Sequence, residues 1–146
     1  MKNLCRFFLG LVAVVASANA AGPGAWRIVQ EGRRVYALTD LDPSVRIRLK
    51  HDMGTTKILS WNDSPQSKDI GVLVYESGVA GTTKLYRMER AVVIQKKNME
   101  ALGEFFWRMI PEDGTAQPRT QPIWEWTEKN VHAYDPESGE ELALSW

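Results

Sequence analysis

This sequence has few cysteines and histidines and a formal net charge of zero, and each of these features narrows the possible functions. There is one cysteine, Cys5, and there are two histidines, His51 and His132. Basic and acidic residues balance at 18 each. Two distant histidines with no thiol nearby do not supply a zinc site, and a balanced charge argues against a dedicated nucleic-acid binder. We therefore expect no metal, no other cofactor and no nucleic-acid partner.

The motifs that identify common enzymes are absent as well. A hydrolase needs a nucleophile beside a base that activates it, yet the sequence contains no Gly-x-Ser-x-Gly elbow. Asp52 follows His51 directly, but neighbouring residues of a strand point to opposite faces of a sheet. The sequence therefore favours a non-enzymatic protein. An enzyme whose site is assembled from residues scattered along the chain remains an alternative.

The longest uncharged apolar run lies close to the N-terminus and has the features of an export signal. It covers residues 7–16, follows Lys2 and Arg6, and is itself followed by Ala18-Asn19-Ala20. Basic residues, an apolar run and a small-x-small tripeptide are typical of a cleavable signal peptide, and the run is about half the length that spans a bilayer. We predict a signal peptide over residues 1–20, membrane contact only before its cleavage, and a periplasmic or secreted location.

Removal of this leader changes the composition of the remaining chain. Cys5 and two basic residues leave with it, so the mature chain has no cysteine and two more acidic than basic residues. Small secreted eukaryotic domains are usually cross-linked by disulfides, so a cysteine-free domain favours a bacterial source and depends on core packing. We expect a flexible mature N-terminus over residues 21–25 and a single β-rich domain over residues 26–146.

The mature chain reads as a series of short strands separated by turns. The clearest pattern is an alternation of apolar with basic side chains over residues 45–50, which is typical of an antiparallel strand with one buried face. The other predicted strands cover residues 26–30, 33–38, 57–61, 70–76, 83–88, 91–96, 123–128, 131–135 and 141–146.

Residues 98–110 are the exception to the strand pattern. Asn98 is a suitable cap for a short helix that Pro111 would end, although Gly103 and the run Phe105-Phe106-Trp107 would also suit a buried strand. We expect a short helix here. The fold class is then mainly β, an antiparallel β-sandwich or small barrel with at most one short helix.

Tryptophan is abundant, with six residues that all follow the leader. Trp124 and Trp126 lie two apart on a predicted strand, so both indoles project from the same face. On an outward face they would form an apolar platform for sugar rings or for a side chain of a partner. On an inward face they would fill the core, which a small sheet protein needs.

The basic face of the strand over residues 45–50 is the second candidate surface. Arg46, Arg48 and Lys50 project from one side of that strand, where they could dock an acidic protein surface. The same charges could also simply protect a solvated edge.

These features predict an exported, non-enzymatic binding protein of the cell envelope or exterior that docks a protein partner, in an inhibitor or immunity-type role. One alternative is a carbohydrate or peptidoglycan binder that uses Trp124 and Trp126. Another is a small outer-membrane β-barrel, suggested by the alternating residues 142–146. An enzyme with a non-linear site is the third.

Overall fold

The computed structural model describes residues 14–15, 25–51, 54, 57–112 and 118–146. These residues form strands and no helix, which confirms a mainly β fold. The predicted signal peptide, apart from residues 14–15, and residues 21–24 of the predicted flexible N-terminus lie outside the described residues. The strands are β1 (Val14–Val15), β2 (Trp26–Glu31), β3 (Arg34–Thr39), β4 (Asp42–Leu49), β5 (Lys57–Asp63), β6 (Ile70–Ala80), β7 (Tyr86–Gln95), β8 (Glu100–Pro111), β9 (Ile123–Trp126), β10 (Asn130–Tyr134) and β11 (Glu141–Ser145).

The strands form three antiparallel sheets. The first sheet has the order β1-β2-β3-β4, the central sheet β5-β6-β7-β8 and the third sheet β9-β10-β11. Each strand pairs with the strand that follows it in sequence within its sheet, so the pairing is local throughout. Among the described residues, no sheet closes on itself.

The central sheet is covered on both faces. One face packs on the first sheet in an apolar cluster whose buried members include Leu73, Tyr75, Val92 and Ile94 from the central sheet and Ile28, Ala37, Ile47 and Leu49 from the first. The opposite face packs on the third sheet through Ile70, Val72, Val74, Ala91 and Val93. A strand that is buried on both faces needs apolar residues at every position, which explains the nearly continuous apolar runs of β6 and β7.

The helix predicted over residues 98–110 is wrong, because this segment forms the long edge strand β8. Side chains of β8 point to both faces of the sheet, and the register with β7 shifts at two bulges, at Leu102 and Trp107. Phe105 and Trp107 contact Trp124 of the third sheet, whereas Glu104 bonds to residues on the side of the first sheet. Apolar residues on both faces hide the two-residue period of a strand, and their spacing then imitates that of a helix.

Strand β7 joins two segments that the sequence predicts as separate strands, 83–88 and 91–96. The charged pair Glu89-Arg90 resembles a break between them, yet both residues lie inside β7, with 3 % and 7 % of their surface exposed. Each has an ion-pair partner on β8: Arg108 for Glu89 and Glu104 for Arg90. Buried charges persist in a sheet when such partners compensate them.

The tryptophans divide into two groups, one on each side of the central sheet. Trp26 and Trp61 meet between the first and central sheets, with ring centroids 5.1 Å apart. The other four form a row between the central and third sheets, in which successive centroids are 5.4, 5.4 and 6.5 Å apart: Trp107, Trp124, Trp126 and Trp146. Both groups therefore serve the packing of one sheet on another.

Gly71 and Gly103 provide a test of this packing. A Cβ atom at Gly71 would lie 2.1 Å from the ring of Trp61, whereas one at Gly103 would lie 2.9 Å from the end of the Leu144 side chain. We expect Gly71→Ala to destabilise the fold by roughly 3 kcal/mol, because the indole must leave its place, and Gly103→Ala by about 1 kcal/mol or less, because a leucine can rotate away. Urea unfolding measures both values, and equal losses would contradict the Trp61–Gly71 packing.

Candidate functional site

Residues of two edge strands, β4 of the first sheet and β8 of the central sheet, line one groove. Among the described residues, β4 pairs only with β3 and β8 pairs only with β7. The groove has a volume of about 270 Å³. Its lining consists of Arg46, Ile47, Arg48, Lys50, Val92, Met99, Glu100, Ala101, Gly103 and Glu104. The basic residues that the sequence singles out on residues 45–50 thus all line one groove.

The basic side chains of the groove differ in whether they already have an ion-pair partner. Arg46 is ion-paired with Glu31, at 2.5 Å between Nη2 and Oε1, and its guanidinium lies 4.7 Å above the ring of Tyr36. The hydrogen bond with Glu31 raises the pKa of Arg46. Arg48 and Lys50 are exposed, and in the part of the chain that the structure describes their charged groups have no ion-pair partner.

The carboxylate of Glu104 lines the groove and connects the first sheet to the central sheet. Its Oε1 accepts hydrogen bonds from Tyr75 Oη at 2.5 Å and from Arg90 Nε at 2.9 Å. Its Oε2 accepts one from the backbone N–H of Lys50 at 3.3 Å. The ion pair of Arg90 and Glu104 is buried, with 9 % and 5 % of the side chains exposed. One carboxylate therefore connects β6, β7 and β8 to the end of β4.

Tyr75 and His51, two titratable groups near Glu104, have shifted pKa values. Burial and the charge of Glu104 raise the pKa of Tyr75, so its hydroxyl remains a donor at neutral pH. Burial and the charge of Arg90 lower the pKa of His51, so its ring is neutral there. Both oxygens of Glu104 already accept hydrogen bonds, so its carboxylate holds Tyr75, Arg90 and the backbone of Lys50 in place.

Two ion pairs, Arg46–Glu31 and Arg90–Glu104, balance their own charges. Of the other described residues that line the groove, Glu100 is the one acidic residue, whereas Arg48 and Lys50 are basic. Glu100 accepts a hydrogen bond from the side-chain amide of Asn98 at 2.9 Å. The groove consequently carries an excess of positive charge from Arg48 and Lys50. Such a field attracts an acidic ligand and speeds its association.

Trp124 and Trp126 lie away from this groove, on the third sheet. Both are half-buried against the central sheet, and they alternate with the exposed residues Ile123 and Glu125. Their rings stack with centroids 5.4 Å apart and planes 13° apart, and Trp124 Nε1 donates to the carbonyl oxygen of Phe106 at 2.9 Å. Their common face points inward, as the core interpretation of the sequence expects, and the structure does not bring them together with the basic residues.

Sequence reasoning missed Glu104, Arg90 and Tyr75. One signal was present: Glu104 is a single carboxylate within the mostly apolar stretch 101–107. A charge in such a stretch requires a buried counter-charge. The sequence does not say which basic residue supplies it, because Arg90 meets Glu104 only after β7 and β8 pair.

No match was found for this chain among family models, curated proteins or solved structures. Within the described ranges, no group of at least three His, Cys, Asp or Glu residues could hold a metal ion. A helix with the length and apolar character to cross a membrane does not occur among the described residues.

The Glu104 network predicts a large difference between two glutamates of β8. We expect Glu104→Gln to destabilise the fold by about 3 kcal/mol or more, because it leaves the charge of Arg90 buried without a counter-charge. Glu100→Gln, on the exposed end of the same strand, should change the free energy of unfolding by no more than about 0.5 kcal/mol.

Urea unfolding of both variants measures the difference. The double variant Arg90→Leu with Glu104→Gln should recover most of the loss, since it removes the uncompensated charge. A loss in Glu104→Gln as small as that in Glu100→Gln would contradict the network.

Proposed function

We propose that this chain is an exported, non-enzymatic binding protein that docks a protein partner in the groove between β4 and β8. One observation carries this proposal: Arg48 and Lys50 stand exposed and without ion-pair partners among the described residues, beside an unpaired strand edge. Charged groups in such a position steer a complementary partner and set its register. An inhibitor or immunity-type role towards an exported enzyme is part of the proposal.

The chemistry of the groove favours binding over catalysis. Glu104 is engaged by three donors, and Tyr75 is a buried donor with a raised pKa. A catalytic acid or base must reach a substrate and exchange a proton with it. These groups instead hold β4 at a fixed distance from β8, which is what a rigid docking surface requires.

The partner is expected to depend on the two free cations of the groove. The double variant Arg48→Glu with Lys50→Glu should weaken capture of a specific protein from bacterial envelope extracts by at least about tenfold, because each reversal turns attraction into repulsion. Affinity pull-down with the mature chain, followed by a binding measurement with the captured protein, tests this expectation.

The sequence offers a matched control away from the groove. Lys68 lies in the turn before β6 and Lys129 in the turn before β10, and both are exposed. The double variant Lys68→Glu with Lys129→Glu changes the net charge equally at residues that do not line the groove, so it should retain capture. The proposal fails if no stoichiometric partner is captured, or if both double variants bind equally well.

The proposed export predicts a shorter mature chain. When the full sequence is expressed in a bacterium, the periplasmic or secreted protein should begin at Ala21. Replacing both small residues, Ala18→Phe with Ala20→Phe, should leave the leader attached, because the peptidase reads small side chains there. The control Ala13→Phe keeps the apolar run and should be cleaved normally. Intact mass and N-terminal sequencing measure the outcome, and a protein that stays inside the cell would contradict export.

A further inference from the structure

We infer that the segment bound in the groove is an extended acidic strand that pairs with the outer edge of β4. This inference rests on the proposed function and specifies its mode of recognition. Addition of a strand to a free sheet edge is a recurrent way to bind peptides, in which main-chain hydrogen bonds provide affinity and alternate side chains provide specificity.

The hairpin between β2 and β3 determines which backbone groups face the free edge. Gly32 has φ 61° and occupies the first position of the two-residue turn that Glu31 and Arg34 close. Residues that close such a turn bond to each other, and the direction of backbone groups then alternates along a strand. Val35 and Ala37 therefore point their backbone groups towards β4.

The pairing register of β3 with β4 determines which backbone groups of β4 point away from the first sheet. Val35 is opposite Leu49 and Ala37 is opposite Ile47, so Leu49 and Ile47 use their backbone groups within the sheet. The backbone N–H and C=O groups of Arg46 and Arg48 must then point outward, into the groove.

The hydrogen bond of Lys50 supports the same direction independently. Its backbone N–H leaves the first sheet and donates to Glu104 Oε2 on β8, at 3.3 Å. Lys50 lies two residues after Arg48 and four after Arg46, so all three share one orientation. Among the described residues, only the N–H of Lys50 has a partner across the groove. The part of the edge without such a partner is therefore the part over Arg46–Arg48.

The side chains around this edge define the sequence that would fit. Arg48 and Lys50 stand on the outer face of the first sheet, while Val92, Ala101 and Gly103 line the groove behind the edge. A strand added to β4 would place alternate side chains beside the cations and beside this apolar lining. The matching segment carries acidic residues at every second position and small apolar residues between them.

A second copy of this chain fits the edge poorly. Two β4 edges brought together would face Arg46, Arg48 and Lys50 of one copy with the same basic residues of the other, and like charges across strands are destabilising. Basic residues on an edge strand are a known protection against such self-pairing. An acidic segment of another protein has the opposite, favourable charge.

The experiment uses the mature chain and a capped synthetic peptide of about seven residues in which glutamate and valine alternate. Saturating peptide should slow amide hydrogen exchange of Arg46 and Arg48 by at least about tenfold, because new main-chain hydrogen bonds protect them. N-methylation of every second backbone nitrogen of the peptide should abolish binding when those N–H groups are the ones directed at β4. N-methylation of the other alternate set, whose N–H groups point away from β4, should have a much smaller effect. A peptide with lysine in place of glutamate should not bind.

The outcomes separate this inference from the proposed function. If the acidic peptide binds but the exchange of Arg48 is unchanged, or if both methylated peptides bind alike, strand addition is wrong although docking by charge survives. The inference is also overturned if the acidic peptide does not bind at millimolar concentration or if the chain dimerises through β4. The capture experiment with the Arg48/Lys50 double variant judges the proposed function separately.

Discussion

Coverage of the central sheet on both faces is the constraint on which the rest of this structure depends. Strands β6 and β7 supply apolar side chains in both directions, so a sheet is needed on each side to keep them from water. The first sheet covers one face around Trp26 and Trp61, and the third sheet covers the other through its row of tryptophans. With no cysteine after the predicted leader, this burial is the main stabilising contribution.

The same constraint explains how far the sequence predicts the fold. Strands with one exposed face show a two-residue alternation, and the segment over residues 45–50 is predicted on that basis. Strands covered on both faces show no alternation, so β8 resembles a helix. Glu89 and Arg90 look like a break in β7 because their counter-charges lie on another strand, at sequence distances that no local pattern reveals.

The candidate site is predicted in part, for a related reason. Alternation places Arg46, Arg48 and Lys50 on one side of a strand, but the groove exists only because β8 lies beside them, and β8 is predicted as a helix. Likewise, spacing places Trp124 and Trp126 on a common face without indicating that this face meets the central sheet. Periodicity determines which residues share a face, whereas tertiary packing determines what that face contacts.

Arg46, Arg48 and Lys50 can be interpreted as protection of an exposed edge or as a docking surface, and the edge of β4 shows why these two interpretations are compatible. Edge strands expose unpaired backbone groups and are protected by charges that prevent self-association. Charges of one sign, however, repel only partners of the same sign, and they attract an acidic strand to the same backbone groups. Glu104 fixes the end of β4 against β8 without neutralising Arg48 or Lys50. The protection of this edge against a second copy and its proposed selectivity for an acidic segment would therefore follow from one distribution of charge.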